Sequence, residues 1–445
     1  MGKLNLSSLN NKHFLVLMNN GFTYVFNFAV GYLLFHYLSM EATGMYFFVQ
    51  MLVSLCGSAR DGFLATSTVT FYAGATPERG ATVLGSVWFL GLILSAVILL
   101  LNAGAFLFLP YTHNQEYILC VKWVGITYFS ALPSNIVFWR LQADEKYGQM
   151  LVYRIVCSVS LFIAFVVLIR LHIMTLDNAL LWNFLTCAIC SLLGILWNKS
   201  GIKYILHKSR ECMTELFHYG KYTLGTTSLS VLLGNADNFI INFMLGPAAL
   251  AVYNLALRFM AIVELPMRTF LTTGMSEMSI SLNKNDMHQV TYIFKKYTGM
   301  LTIALVPIVI GAVLLADFPI NILGGAKYHG SIAANAFRLF IIISLLYPFD
   351  RFNGLALDVT RHTKINFYKM IIMLIATIIG DFAGLSLFGN IYGIALSDVI
   401  VIAAAIGYGN YQLHKYMDYT IPGILSLGYS ELKLLIQQTL KPKRE

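Results

Sequence analysis

The stretch Gly234–Phe270 reads GNADNFIINFMLGPAALAVYNLALRFMAIVELPMRTF. Two long apolar segments meet in it at a tight Leu245-Gly246-Pro247 turn, and ionisable residues lie deep inside both: Asp237 before the turn, Arg258, Glu264 and Arg268 after it. The core of a soluble domain would not be so long and so apolar, and a simple membrane anchor would not tolerate the charges. The pattern predicts two transmembrane helices lining a polar pathway.

The rest of the chain extends that reading. Of 445 residues, 58% are hydrophobic and 11% charged, with a mean hydropathy of +0.69. Soluble domains carry about 25% charged residues, so composition points to a polytopic membrane protein. Apolar runs of about 20 residues predict twelve spans, near 14–38, 42–66, 81–108, 117–138, 148–170, 176–197, 220–245, 248–274, 292–316, 331–355, 365–388 and 391–413. Beyond them, Ile424 to Leu440 is expected as a short interfacial helix in a tail ending in basic residues. The first segment lacks a small-residue cleavage site and is expected to be retained.

The net charge of +9 does not form the single basic patch that nucleic acid requires. The basic residues recur instead in alternate short loops: Lys3, Lys12, Arg79, Arg140, Lys146, Lys199, Lys203, Lys208, Arg210, Lys221, Lys284, Lys295, Lys296, Arg361 and Lys364 on one side, little beyond Arg170 and Lys327 on the other. This asymmetry, about tenfold, predicts both termini in the cytoplasm, which agrees with an even number of spans. Loops are short throughout, so no soluble domain is inserted. Of the six cysteines only Cys212 lies outside an apolar run; Cys187 and Cys190 have CxxC spacing but sit mid-helix, and no disulfide framework is expected. The ten histidines show no metal-ligand spacing and no P-loop is present, so neither a metal cofactor nor ATP hydrolysis is expected.

The chain repeats itself across its midpoint. FHYLSMEATGMYFFVQMLVSLCGSARDGFLATS from Phe35 aligns without gaps on NFMLGPAALAVYNLALRFMAIVELPMRTFLTTG from Asn242, pairing Leu38 with Leu245, Tyr46 with Tyr253 and Asp61 with Arg268. LQAD at Leu141–Asp144 likewise matches LALD at Leu355–Asp358, each after a proline-kinked span, at Pro133 and Pro348. Two parallel six-helix units are predicted, residues 1–205 and 206–413, followed by a tail at 414–445.

The stretch YGKYTLGTTSLSVLLGNADNFIINFMLGPAALAVYNLALRF at 219–259, with LSMEATGMYFFVQ and ARDGF in the first half, resembles the polysaccharide and oligosaccharidyl-lipid flippases of the multidrug/oligosaccharidyl-lipid/polysaccharide exporter superfamily. Ser39-Met40 departs from the Gly-Pro or Gly-Thr usual there. The resemblance implies an all-α fold of twelve transmembrane helices, two six-helix lobes around a central cavity opened alternately to either face. It implies an undecaprenyl-pyrophosphate-linked oligosaccharide as substrate, in the bacterial cytoplasmic membrane, alongside other polysaccharide assembly proteins.

The intramembrane charges suit that cargo, because guanidinium groups replace the lost hydration of a diphosphate with bidentate hydrogen bonds. Arg258 is expected near the midplane, beyond snorkelling reach, with Glu264 and Arg268 on the same helix face and Pro266 interrupting the helix there. Arg60, Arg258, Arg268, Arg338 and Arg351 are the candidate substrate-binding cations. Arg338 is favoured over Arg351, which lies nearer a span end. Asp61, Asp237, Glu264 and Asp350 have two readings: they neutralise these arginines, or they bind a coupling proton or sodium ion. Asp381 and Asp398 are expected to be helix-packing residues. Gly380-x-x-x-Gly384 and Gly389-x-x-x-Gly393 suit close helix crossings. Three functions compete: a lipid-linked oligosaccharide flippase; a cation-coupled multidrug exporter, which would favour an acid-dominated cavity; and a membrane enzyme acting on prenyl-linked sugars, for which the outer loops offer too few catalytic groups.

Overall fold

The computed structural model describes residues 12–108 and 115–440. Lys3, the loop 109–114 between the third and fourth expected spans, and the basic end at 441–445 lie outside them. Among the described residues the regular structure is entirely helical. The first part of the chain forms α1 (Lys12–Tyr37), α2 (Met40–Arg60), α3 (Thr66–Tyr72), α4 (Pro77–Phe106), α5 (Gln115–Ser130), α6 (Leu132–Ala143), α7 (Tyr147–Arg170) and α8 (Leu176–Leu196). After them come α9 (Arg210–Leu245), α10 (Pro247–Leu257), α11 (Ala261–Asn283), α12 (Met287–Leu315), α13 (Asp317–Gly324), α14 (Ala333–Ile343), α15 (Tyr347–Val359), α16 (Thr363–Phe388), α17 (Tyr392–Leu413) and α18 (Ile421–Leu440).

Ten helical stretches among the described residues are long and apolar enough to cross a bilayer, and they fall on ten of the twelve expected spans. The first expected span corresponds to α1, of 26 residues. The fourth is divided at Ala131 between α5 and α6. Pro133 causes the division: it has no N–H to continue the ladder, and its ring crowds the preceding turn. Pro348 acts in the same way in the second half, where α14 gives way to α15 through a 3₁₀ turn at Ser344–Leu346.

The chain forms two compact units, Met1–Leu232 and Leu233–Glu445, and passes from one to the other within α9. In the first unit Phe63, Leu64, Val83, Leu84, Val87, Trp88, Leu132, Ile136, Trp139, Cys212 and Leu216 form a buried core. Trp88 closes it by donating its indole N–H to the Ser200 carbonyl at 2.8 Å. The ARDGF motif does not continue as an α-helix: Asp61–Ala65 is a turn of π-helix, and Thr223 Oγ1 donates to its Gly62 carbonyl at 2.5 Å. In the second unit the glycine spacing acts as expected: Gly384 and Gly393 meet backbone to backbone where α16 crosses α17.

The repeat holds at the start of its helices and fails at their interruptions. The ungapped pairing matches Met40 with Pro247, and these residues begin α2 and α10. Gly246 makes the second turn with φ +84°, whereas Ser39 makes the first by accepting the Ala42 N–H on its side chain at 3.1 Å. The departure from the family's glycine is therefore a capped helix start. In the second half the break is a 3₁₀ turn at Arg258–Met260, and α11 runs through Pro266 without stopping. The expected interruption is thus displaced toward the N-terminus: Pro266 cannot donate to the Ile262 carbonyl, and the turn before it loosens.

The tail helix α18 packs antiparallel on α12. Gly428 faces Gly299 so closely that a side chain at either would strike backbone, Tyr292 donates to Glu431 at 2.7 Å, and Lys296 lies 3.8 Å from the same carboxylate.

Candidate functional site

The second unit contains a cavity of about 590 Å³ walled by α9, α10, α11, α14, α15, α16 and α17. Its depth can be ordered by helical rise from the turns at Gly246 and Gly389. Asp237 precedes Gly246 by nine residues, Tyr253 follows it by seven, Asp381 precedes Gly389 by eight and Asp398 follows it by nine. At about 1.5 Å per residue all four lie at one level, roughly 10–14 Å from those turns.

At that level the cavity is acidic. Asp237 and Asp398 line it, and Tyr253 donates its hydroxyl to Asp237 at 2.5 Å. Asp381 and Asp398 each lie within electrostatic reach of Asp237 and of one another. Asp381 is fully buried and neither of its carboxyl oxygens has a hydrogen-bond partner among the described residues. The buried Ser397 hydroxyl, beside Gly380 on the facing helix, is unpartnered as well. A group of carboxylates held together away from water is tolerated when a proton or a cation neutralises it.

Toward the opposite end the lining adds two cations to its carboxylates. Lys369 precedes Asp381 by twelve residues on α16, about 18 Å along the axis. It is 3% exposed, and its ammonium donates to the Asp350 carboxylate at 2.7 Å and to the Asp350 carbonyl at 3.0 Å. Arg351, the next residue on α15, lines the cavity and has no carboxylate partner within ion-pair distance among the described residues. Asp358 and Asn366 complete this end, joined by a 2.9 Å hydrogen bond.

Of the residues named from sequence, Asp237, Glu264, Asp350 and Arg351 line this cavity. Arg268 joins them only through its 3.2 Å ion pair with Glu264, as the i,i+4 spacing predicts. Arg258 is half-buried in the 3₁₀ turn; its neighbours Leu257 and Met260 form the wall. Arg338 lies elsewhere, held by Asp317 at 2.5 Å, Asn335 at 2.6 Å and the Val313 carbonyl at 3.1 Å. Arg60 and Asp61 belong to the first unit. Arg60 is 1% exposed, stacks on the Tyr128 ring at 4.3 Å and donates to the Tyr128 carbonyl at 2.9 Å.

Sequence reasoning missed Lys369, Asp358 and Asn366, and read Asp381 and Asp398 as packing residues. A signal was available: Lys369, Met373, Thr377 and Asp381 recur every fourth residue, so one stripe of an otherwise apolar helix carries polar groups. The first three line the cavity.

A family described as polysaccharide biosynthesis protein matches residues 37–333, two thirds of the chain. The teichuronic acid biosynthesis protein TuaB of Bacillus subtilis (strain 168) is 24% identical over 205 residues, 46% of this chain and 41% of that protein, so the chain matches less than half of this relative. Among solved structures, a multidrug resistance MATE family transporter of the MOP superfamily in its inward-facing conformation superimposes with a TM-score of 0.73 at 16% identity, covering 88% of this chain and 94% of that one. The lipid II flippase MurJ, inward closed, gives 0.73 at 16% identity, covering 96% and 93%. At these identities the likeness is one of fold.

Proposed function

This chain belongs to the polysaccharide biosynthesis protein family and has the fold of the MOP superfamily, and on that premise we propose that it flips a lipid-linked oligosaccharide across the cytoplasmic membrane of a bacterium. The cargo in this reading is an undecaprenyl-pyrophosphate-linked repeat unit of a surface polysaccharide, carried from the inner to the outer leaflet by alternating access, with both termini in the cytoplasm. The observation that carries it is the cavity of the second unit, walled by membrane-crossing helices, with Arg351 and Lys369 set among carboxylates toward one end and carboxylates alone at the level of Asp237 and Asp398. A diphosphate entering a low-dielectric site needs fixed cations in place of water, and Arg351 supplies one that has no ion-pair partner among the described residues. The prenyl tail needs no such help, since it stays in lipid.

The acidic end supplies the driving force in this proposal. Asp237, Asp381 and Asp398 share a proton or a sodium ion, with Tyr253 orienting Asp237. Loading and release of that ion bias the helices on which the three carboxylates stand. Nothing in the reading calls for a catalytic step. Other polysaccharide assembly proteins would deliver the lipid-linked substrate and take it up.

Deleting the gene should make a lipid-linked oligosaccharide accumulate on the cytoplasmic side while surface polysaccharide disappears. Asp381→Asn should restore neither export nor its dependence on the ion gradient, although the protein reaches the membrane. A second reading, multidrug export, is favoured by the carboxylate cluster and by the MATE-like fold. Altered drug susceptibility with intact surface polysaccharide in the deletion strain would select it.

A further inference from the structure

We propose that Lys369 is an anion-binding group of the cavity held in reserve by Asp350, and that a diphosphate binds by taking Asp350's place on it. The inference rests on the flippase reading for the identity of the anion. The geometry itself is independent of that reading.

Lys369 and Asp350 form a buried ion pair that joins α16 to α15: 3% and 8% exposed, 2.7 Å from ammonium to carboxylate. Such a pair is a poor way to gain stability. Removing both charges from water costs about as much as their attraction returns, and apolar residues of similar volume do as well or better. Its best attested use is as a switch or a register device. Here the pair lies on a cavity wall, with Lys369, Asp350 and Arg351 all among the lining residues. An ammonium has three donors, and Asp350 occupies two of them through its carboxylate and its own carbonyl.

Gly354 keeps the approach clear. A side chain there would begin 3.5 Å from the Lys369 ammonium and 3.1 Å from the Asn366 amide oxygen, so any larger residue would crowd both groups. Asp358 also faces this corner within electrostatic reach of Lys369; it is held by Asn366 and stays in place in every variant below, so it does not distinguish them. A diphosphate brings more charge and more acceptor oxygens than one carboxylate, and it can bridge Lys369 and the adjacent Arg351 together. The single carboxylate of Asp350 cannot.

Displacement also has a mechanical consequence. Asp350 ends the first turn of α15 and Arg351 follows it, directly after the 3₁₀ turn at Ser344–Leu346 and Pro348. When the anion takes Lys369, the tie between α16 and the start of α15 is released at a point already jointed. Occupancy of the site thereby selects between two positions of α15.

The test is binding of inorganic pyrophosphate and of farnesyl diphosphate to the purified full-length protein, by calorimetry. Asp350→Asn keeps the shape of the pair and removes the competing charge; both probes should bind about ten- to hundredfold tighter than to wild type. Lys369→Gln should weaken both by a similar factor, and D350N/K369Q should behave as K369Q does. The charge exchange D350K/K369D restores an ion pair and controls for folding; it should melt near wild type without recovering the D350N affinity. If D350N binds no tighter than wild type, or loosens both probes as much as K369Q does while remaining folded, the pair is a structural tie and the proposal is wrong. That result leaves the flippase reading standing, since that reading is decided by the intermediate accumulating in the deletion strain.

Discussion

Arg338 and Arg351 carry the same group but meet opposite surroundings, and the difference predicts opposite phenotypes. Arg338 makes three hydrogen bonds that join α14 to Asp317 and to the end of α12. Its ion pair is partly exposed and so screened; Arg338→Ala should lower stability by about 1–2 kcal/mol while leaving export intact in the protein that folds. Among the described residues Arg351 pairs with no carboxylate, and it lines the cavity. Arg351→Ala should therefore leave the melting temperature of the purified protein unchanged and abolish surface polysaccharide in a complementation assay. The reverse pattern would transfer the binding role to Arg338. Sequence favoured Arg338 because it lies farther from a span end. Depth says how costly a charge is, and the partner that offsets the cost is found only in three dimensions.

At the scale of the helix, two irregularities carry the argument. Pro266 leaves the Ile262 carbonyl without its donor, and a 3₁₀ turn at Arg258–Met260 precedes it on the same helix. Pro266→Ala should restore the ladder and raise stability by about 1–3 kcal/mol, and if the turn is a moving part it should reduce export despite that gain. Unchanged export in a stabilised P266A protein would show the turn to be scaffold. The second irregularity is the contact of α18 with α12 through Gly428 and Gly299. Gly428→Leu places a side chain against backbone that cannot yield. It should cost about 1–3 kcal/mol, and trypsin should then cut at Lys433 in folded protein. Prolines were legible as kinks in the sequence, but not on which side the helix would give way; the answer depends on which neighbours hold the preceding turn.

For the whole molecule, the lysine and arginine asymmetry predicts a sidedness that labelling can check. In a cysteine-free background, His329→Cys should react with a membrane-impermeant maleimide in intact cells, and Asn285→Cys only after permeabilisation. The opposite result would invert the molecule and with it the direction of transport. Apolar length, written residue by residue, suffices to make this a multi-pass helical membrane protein, because hydrocarbon admits a chain only as helices whose backbone bonds are internal. Asp237, Glu264, Asp350 and Arg351 could be named as candidates from the same pattern of charges inside apolar runs. Packing is what brings these four into one cavity with Lys369 and Asp398, leaves Arg338 elsewhere, and sets Asp381 beside Asp237. Helical period assigns a residue to a face, but what that face meets depends on how α9, α15, α16 and α17 pack, through close approaches such as Gly384 on Gly393, and that is a property of pairs of helices that no single one encodes.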